Sequence, residues 1–167
     1  MRNHLLLAAG AAALIATGPA AADTLLASGT FDGRAYAVYQ ATTTITWDAA
    51  EAAAVGLGGH LASIGSLSES DYVYSLVEPH KAALYGGDGF NLLGPWLGGF
   101  RTAGTGFGWT DGTPFAFTHW ASGEPNNING HEFNIHLFAN GGDPIDEPGE
   151  GSFWNDLSGD TGTIKGY

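Results

Sequence analysis

The stretch THWASGEPNNINGHEFNIHLFANGGDPIDEPGEGSFWNDL, residues 118–157, decides how the rest of the chain is read. Glu124-Pro125-Asn126-Asn127 stands near its start and Trp154-Asn155-Asp156-Leu157 closes it, with Glu132 between them. Glu124, Glu132 and Asp156 are carboxylates, and Asn126 and Asn155 are amides. All five offer oxygen. Hard cations such as calcium take six to eight oxygens, whereas zinc or copper would ask for His or Cys. The five are therefore the candidate ligands of one calcium ion. Asn and Asp also favour turns for backbone reasons, so a purely structural reading of the same residues stays open.

Working outward, the 167 residues suit one domain with a real core. Apolar residues make up 44% and charged residues 13%, which marks a globular chain and not a disordered one. A net charge of -12 argues against nucleic acid and anionic membrane surfaces as partners and is compatible with cation binding. Residues 1–22 read as a secretory signal: Arg2, an apolar run from Leu5 to Ala16, then a small-residue cleavage site before Asp23. That run is too short for a comfortable span, so the mature domain, 23–167, is expected to be secreted or extracytoplasmic, in a periplasm or at a cell surface. With no cysteine in the chain, disulfides, thiolate metal sites and cysteine nucleophiles are excluded.

The periodicity predicts a first strand from about Thr30 through Tyr39 and a helix over 49–57, capped by Thr46 or Asp48 and stopped at Gly58-Gly59. Ser68 is expected to cap a second helix that runs through Val77 to a stop at Pro79. Residues 86–91 read as a glycine-rich loop, 95–100 as a core strand around Trp96-Leu97, and 133–138 as another strand. Residues 140–151 read as an exposed loop, and Phe153-Trp154 as a return to the core. The expected class is α+β with two helices. Trp96, Trp109, Trp120 and Trp154 are expected in the core, because large aromatics are usually buried.

Five ordered motifs carry a resemblance: Gly58-Gly59-His60-Leu61-Ala62-Ser63-Ile64, Trp96-Leu97-Gly98-Gly99, Trp109-Thr110-Asp111-Gly112-Thr113-Pro114, Glu124-Pro125-Asn126 and Trp154-Asn155-Asp156. Together they resemble the C-type lectin-like domain over nearly all the chain from about residue 31. The resemblance implies a fold of two helices, small antiparallel sheets and a long calcium-binding loop region. It implies that Glu124, Asn126, Glu132, Asn155 and Asp156 hold calcium and carbohydrate, and that Pro125 follows a cis peptide bond. The Glu-Pro-Asn form implies sugars of the mannose, glucose and N-acetylglucosamine type. An amide bound through its oxygen keeps an NH2 to donate, and a carboxylate keeps a second oxygen to accept, so such pairs suit a sugar hydroxyl. Single-site affinity is expected to be weak and useful binding multivalent.

Several features depart from that family. Its four usual cysteines would fall near Ala54, Asn134, Gly159 and beyond Tyr167, and its closing strand is only beginning where this sequence stops. Asn127 and Phe133 stand where the family's auxiliary calcium site commonly has acids. Residues 140–151 look like an insertion, whose Asp143, Asp146, Glu147 and Glu150 suggest either a second cation site or plain solvated charge. Two other functions compete with a glycan-binding lectin. One is a protein-binding or adhesion module with purely structural calcium. The other, a glycosidase using acids such as Asp146, Glu147 or Glu150, is disfavoured because nothing places a carboxylate in an apolar pocket. The expectation is a non-enzyme.

Overall fold

The structure, a computed structural model, describes residues 22–87, 91–104, 106–140 and 152–167. The expected signal over 1–22 and the acidic loop over 140–151 therefore lie, but for Ala22 and the backbone of Asn140, outside the described residues.

The chain begins with a hairpin, β1 (Thr24–Phe31) and β2 (Arg34–Gln40). Asp32 and Gly33 turn it with φ of 47° and 79°, the left-handed pair that a two-residue hairpin turn demands. Reading the alternation as one strand from Thr30 missed this. An Asp-Gly dipeptide between two alternating runs is a hairpin signal, and it separates two strands.

Helix α1 (Trp47–Gly56) is capped by Thr46, whose Oγ1 accepts from the Ala49 amide at 3.3 Å. Its end is a Schellman turn. Gly58, at φ 91°, donates to the Val55 carbonyl, and Gly59 donates to that of Ala54. Asp48 and Glu51 do not form a capping box. Glu51 reaches forward instead, to His60 Nδ1 at 2.6 Å and the Leu61 amide at 3.0 Å.

Helix α2 (Leu67–Val77) starts earlier than expected, because Ser66 and not Ser68 is the cap. Ser66 Oγ accepts from the Glu69 amide at 3.1 Å, while the Glu69 carboxylate takes the Gly65 amide at 2.6 Å. Pro79 does not end helical structure. A 3-10 turn (Glu78–His80) and the one-turn helix α3 (Lys81–Leu84) follow directly, since proline lacks a donor that a first turn does not need.

The second sheet has the order β3 (Gly86–Gly87), β4 (Asn91–Arg101), β6 (Asn134–Asn140), β7 (Phe153–Leu157), with β5 (Phe107–Trp109) also pairing β4; all pairs are antiparallel. β4 is longer than the six residues expected and is buried from Gly94 to Gly99. Trp96, Trp109 and Trp154 are core residues, and Trp154 makes edge-on contacts with Trp109, Phe117 and Trp120. Trp120 is half-buried at the margin of that cluster. Residues 115–119 form no strand.

Two connections between distant segments fix the frame of the molecule. Trp154 pairs with Trp120 in a parallel bridge, its amide donating to the His119 carbonyl and its carbonyl accepting from Ala121, which brings the approach to Glu124 alongside β7. The chain's last residues return to β2, where Tyr39 and Tyr167 exchange both backbone hydrogen bonds and stack their rings. β1 is paired along its length with β2.

Candidate functional site

The site lies where β6 and β7 meet the loop after Trp120. His136 faces Asn155 across the ladder and Ile135 faces Asp156. Neighbouring strand residues point to opposite faces, so Asn155 and Asp156 serve different sides of β7. Glu132 enters two residues before β6, and Glu124 and Asn126 lie on the loop beside it.

The loop is tied by its own polar groups. The Glu124–Pro125 peptide is cis, and Asn127 and Asn129 take left-handed φ of 47° and 56°, which asparagine tolerates better than most residues. The Asn126 amide donates to Glu124 Oε2 and to Asp156 Oδ1, both at 3.0 Å, and Asn126 Nδ2 donates to Glu124 Oε1 at 2.9 Å. The Asn127 amide donates to Asp156 Oδ2 at 3.1 Å. Ile128 donates both to Asn126 Oδ1 at 3.1 Å and to Glu132 Oε2 at 2.8 Å. Glu132 in turn donates its amide to Asn127 Oδ1 at 3.2 Å. Arg101, at the end of β4, hydrogen-bonds Asp156 Oδ2 through its guanidinium and donates from Nε to the Glu132 carbonyl at 3.0 Å.

All five expected residues thus gather in one place, in two layers. Glu124, Asn126, Glu132 and Asn155 line a cleft of about 540 Å³, shared with Ile128 and Leu157. Asp156 lies beneath it, fully buried, with Oδ2 shared between Arg101 and Asn127 and Oδ1 accepting one amide. Among the described residues no set of three or more His, Asp and Glu side chains converges as a metal cluster. The donor set is mixed, two carboxylates and two amides lining the cleft, and the third carboxylate is engaged by Arg101 and the loop amides.

Asn155 supplies the test of fit. His136 is wholly buried, and burial, partly offset by its bond to the Leu137 carbonyl, lowers the imidazole to about 4. It is neutral at physiological pH. With Nδ1–H given to Leu137, at 2.6 Å, Nε2 is an acceptor and takes the Asn155 NH2 at 3.2 Å. That fixes the amide's orientation and leaves Asn155 Oδ1 buried with no hydrogen-bond partner. A buried acceptor left so costs roughly 1–3 kcal/mol, and a cation in the cleft that Asn155 lines is the natural partner for it. Carboxylates and amide oxygens of this kind fit calcium and not a soft metal.

Charge crowding points the same way. Burial, opposed by the Asn126 amide and reinforced by the charges of Asp156 and Glu132, raises Glu124 above the usual carboxylate range. Burial and Asp156 likewise raise Glu132, against the pull of the Ile128 amide and Arg101. Both groups hold their protons more tightly than free carboxylates do, which a bound cation would reverse.

Reading the sequence missed three participants: Arg101, Asn127 and His136. The only hints were an arginine at a strand end in a chain with five Lys and Arg in all, and a histidine at an inward position of an alternating strand. His131, a sequence neighbour of Glu132, is exposed. A larger apolar groove of about 800 Å³ lies elsewhere, between the first hairpin and the helices, and contains none of these residues.

Two main helices with antiparallel sheets and this loop make up the C-type lectin-like fold. No family profile matches the chain. It is similar to the type-2 ice-structuring protein of Brachyopsis segaliensis, 39% identical over 90 residues, covering 54% of this chain and 46% of that one. It is similar also to ladderlectin of Oncorhynchus mykiss, 36% identical over 91 residues, covering 54% and 44%. The chain thus spans about half the length of the curated relatives it matches. Among solved structures it resembles an EPNH mutant of CEL-I at TM-score 0.59, with 25% identity covering 78% of this chain and 86% of that one. A calcium-independent type II antifreeze protein superposes at TM-score 0.55, with 27% identity over 86% and 95%. These relatives are named as lectins and ice-structuring or antifreeze proteins.

Proposed function

We propose that this domain binds carbohydrate through a calcium ion held by Glu124, Asn126, Glu132, Asn155 and Asp156. The observation that carries the reading is the buried, partnerless Asn155 Oδ1 in a site with two carboxylates whose proton affinity is raised by burial and by neighbouring charge. Glu124, Asn126, Glu132 and Asn155 line the cleft. Asp156 Oδ1 accepts one N–H and keeps a second lone pair for the ion. Bound calcium supplies positive charge and open coordination positions that vicinal sugar hydroxyls fill.

The Glu124–Asn126 pair is closed on itself, Nδ2 to Oε1. Turning each group's oxygen to the ion releases the Asn126 NH2 as a donor and a Glu124 oxygen as an acceptor for the same hydroxyl. The Glu-Pro-Asn order supports the mannose, glucose and N-acetylglucosamine class. The similarity to ladderlectin and to the galactose-specific lectin nattectin supports sugar as ligand, and the similarity to ice-structuring proteins and lectins supports an extracellular location. No described helix is long and apolar enough to cross a membrane. Two competing readings have their own support: an adhesion or protein-binding module using calcium structurally, and ice binding, favoured by the similarity to ice-structuring proteins.

Mannose-resin retention tests the proposal. Retention in calcium that is lost in EDTA and in Asn126→Asp is the expected result. Calcium-raised melting without retention on any of the three sugars would favour the structural reading, and thermal hysteresis in ice-growth assays would favour the third.

A further inference from the structure

We propose that Arg101 is the resident cation of this site, a positioning residue that keeps the 124–132 loop ordered when no metal is bound. The inference rests on the calcium reading only in its last step. Asp156 is fully buried, next to the cleft that Glu124 and Glu132 line. A carboxylate taken out of water needs partners for its oxygens. Arg101 is one of them, with a side chain only 15% exposed.

The guanidinium does more than neutralise. It grips Asp156 on β7, its Nε holds the Glu132 carbonyl at 3.0 Å, and its flat face lies 4.5 Å from the centre of the Phe107 ring on β5. The Arg101 backbone amide adds a bond to the Phe133 carbonyl at 2.7 Å. One residue at the end of β4 therefore ties β5, β7 and the entry to β6. Asp156, so held, accepts the Asn126 and Asn127 amides and fixes the loop above it. Both of these loop contacts pass through the carboxylate that Arg101 holds in place. A planar fork with fixed donors suits this task, and lysine, a point charge on a flexible stem, does not replace it fully. Calcium would act on the same carboxylates from the cleft side, so metal and arginine oppose the same repulsion from two directions.

Amide hydrogen exchange of Asn126 and Asn127, in EDTA and in calcium, tests this in the wild type, Arg101→Met and Arg101→Lys. In EDTA the wild-type amides are expected to be protected at least about 10-fold over exposed loop amides. In R101M that protection should vanish while the Ile135 and Leu137 amides keep theirs, and in R101K it should fall part-way. Wild-type amides that exchange freely in EDTA, or R101M amides protected as in the wild type, would overturn the proposal. Should R101M fail to fold, R101K reads the same amides: selective loss supports the role and full protection overturns it. Calcium is expected to restore protection in the variants. If the wild type binds no calcium, the cation-site reading fails while the EDTA comparison still decides the role of Arg101.

Discussion

Asn155 shows how one side chain can be given a direction. Neutral His136 takes its NH2, so the oxygen is left without a partner. Replacing it by alanine removes one hydrogen bond and also one buried orphan acceptor, two effects of roughly 1–3 kcal/mol that oppose each other. Asn155→Ala should therefore melt within about 1 kcal/mol of wild type in chelator, yet bind calcium at least about 10-fold more weakly. Chelator-buffered titrations beside denaturant curves would check both halves. Glu124 and Glu132 set the pH response. Their folded-state proton affinities are raised, so the metal-free fold binds more protons than the unfolded chain. The stability they contribute is complete below the ordinary carboxylate range and is lost as pH rises through their raised values. In EDTA these groups should raise the melting temperature as pH falls from about 7 to about 5, while the increment due to calcium shrinks over the same window. An increment unchanged down to about pH 4 would contradict the assignment of these carboxylates.

At the scale of elements, the sequence is legible where local chemistry decides the structure. The Thr46 cap, the Gly58-Gly59 stop and the Trp96-Leu97 core strand are readable because each rests on neighbours in the chain. The start of α2 is displaced because three hydroxyl-bearing or acidic residues, Ser66, Ser68 and Glu69, compete as its opening, and Ser66 has the extended backbone that a cap needs, at φ -155° and ψ 161°. Ser66→Ala should cost about 1 kcal/mol in denaturant unfolding and Ser68→Ala only about a few tenths. Equal costs would argue against this capping. The candidate site is legible as a set of residue types but not as layers. Which carboxylate faces the cleft and which is pinned below depends on Arg101, far before Asp156 in the chain, and no local pattern announces such a pairing.

For the whole molecule, the fold supplies a rigid platform and leaves the chemistry to one loop. Trp154 is buried in the aromatic cluster next to Asn155 and Asp156, so the ligands on β7 are anchored by the core itself. With no disulfide to tie the loop region, order there rests on its own hydrogen bonds and on the Arg101–Asp156 pair, and the proposed calcium would add to both. Calcium at about 100 times its dissociation constant should accordingly stabilise the domain by about 2.7 kcal/mol, seen as a rise in melting temperature that magnesium does not reproduce. The central claim is that these oxygens hold one ion. Equilibrium dialysis against radioactive calcium at neutral pH measures that directly. One calcium per chain in the wild type, and none in a Glu124→Gln, Glu132→Gln double variant that still folds, is the predicted result. A folded wild type that retains no calcium, or a double variant that retains it undiminished, would contradict the account.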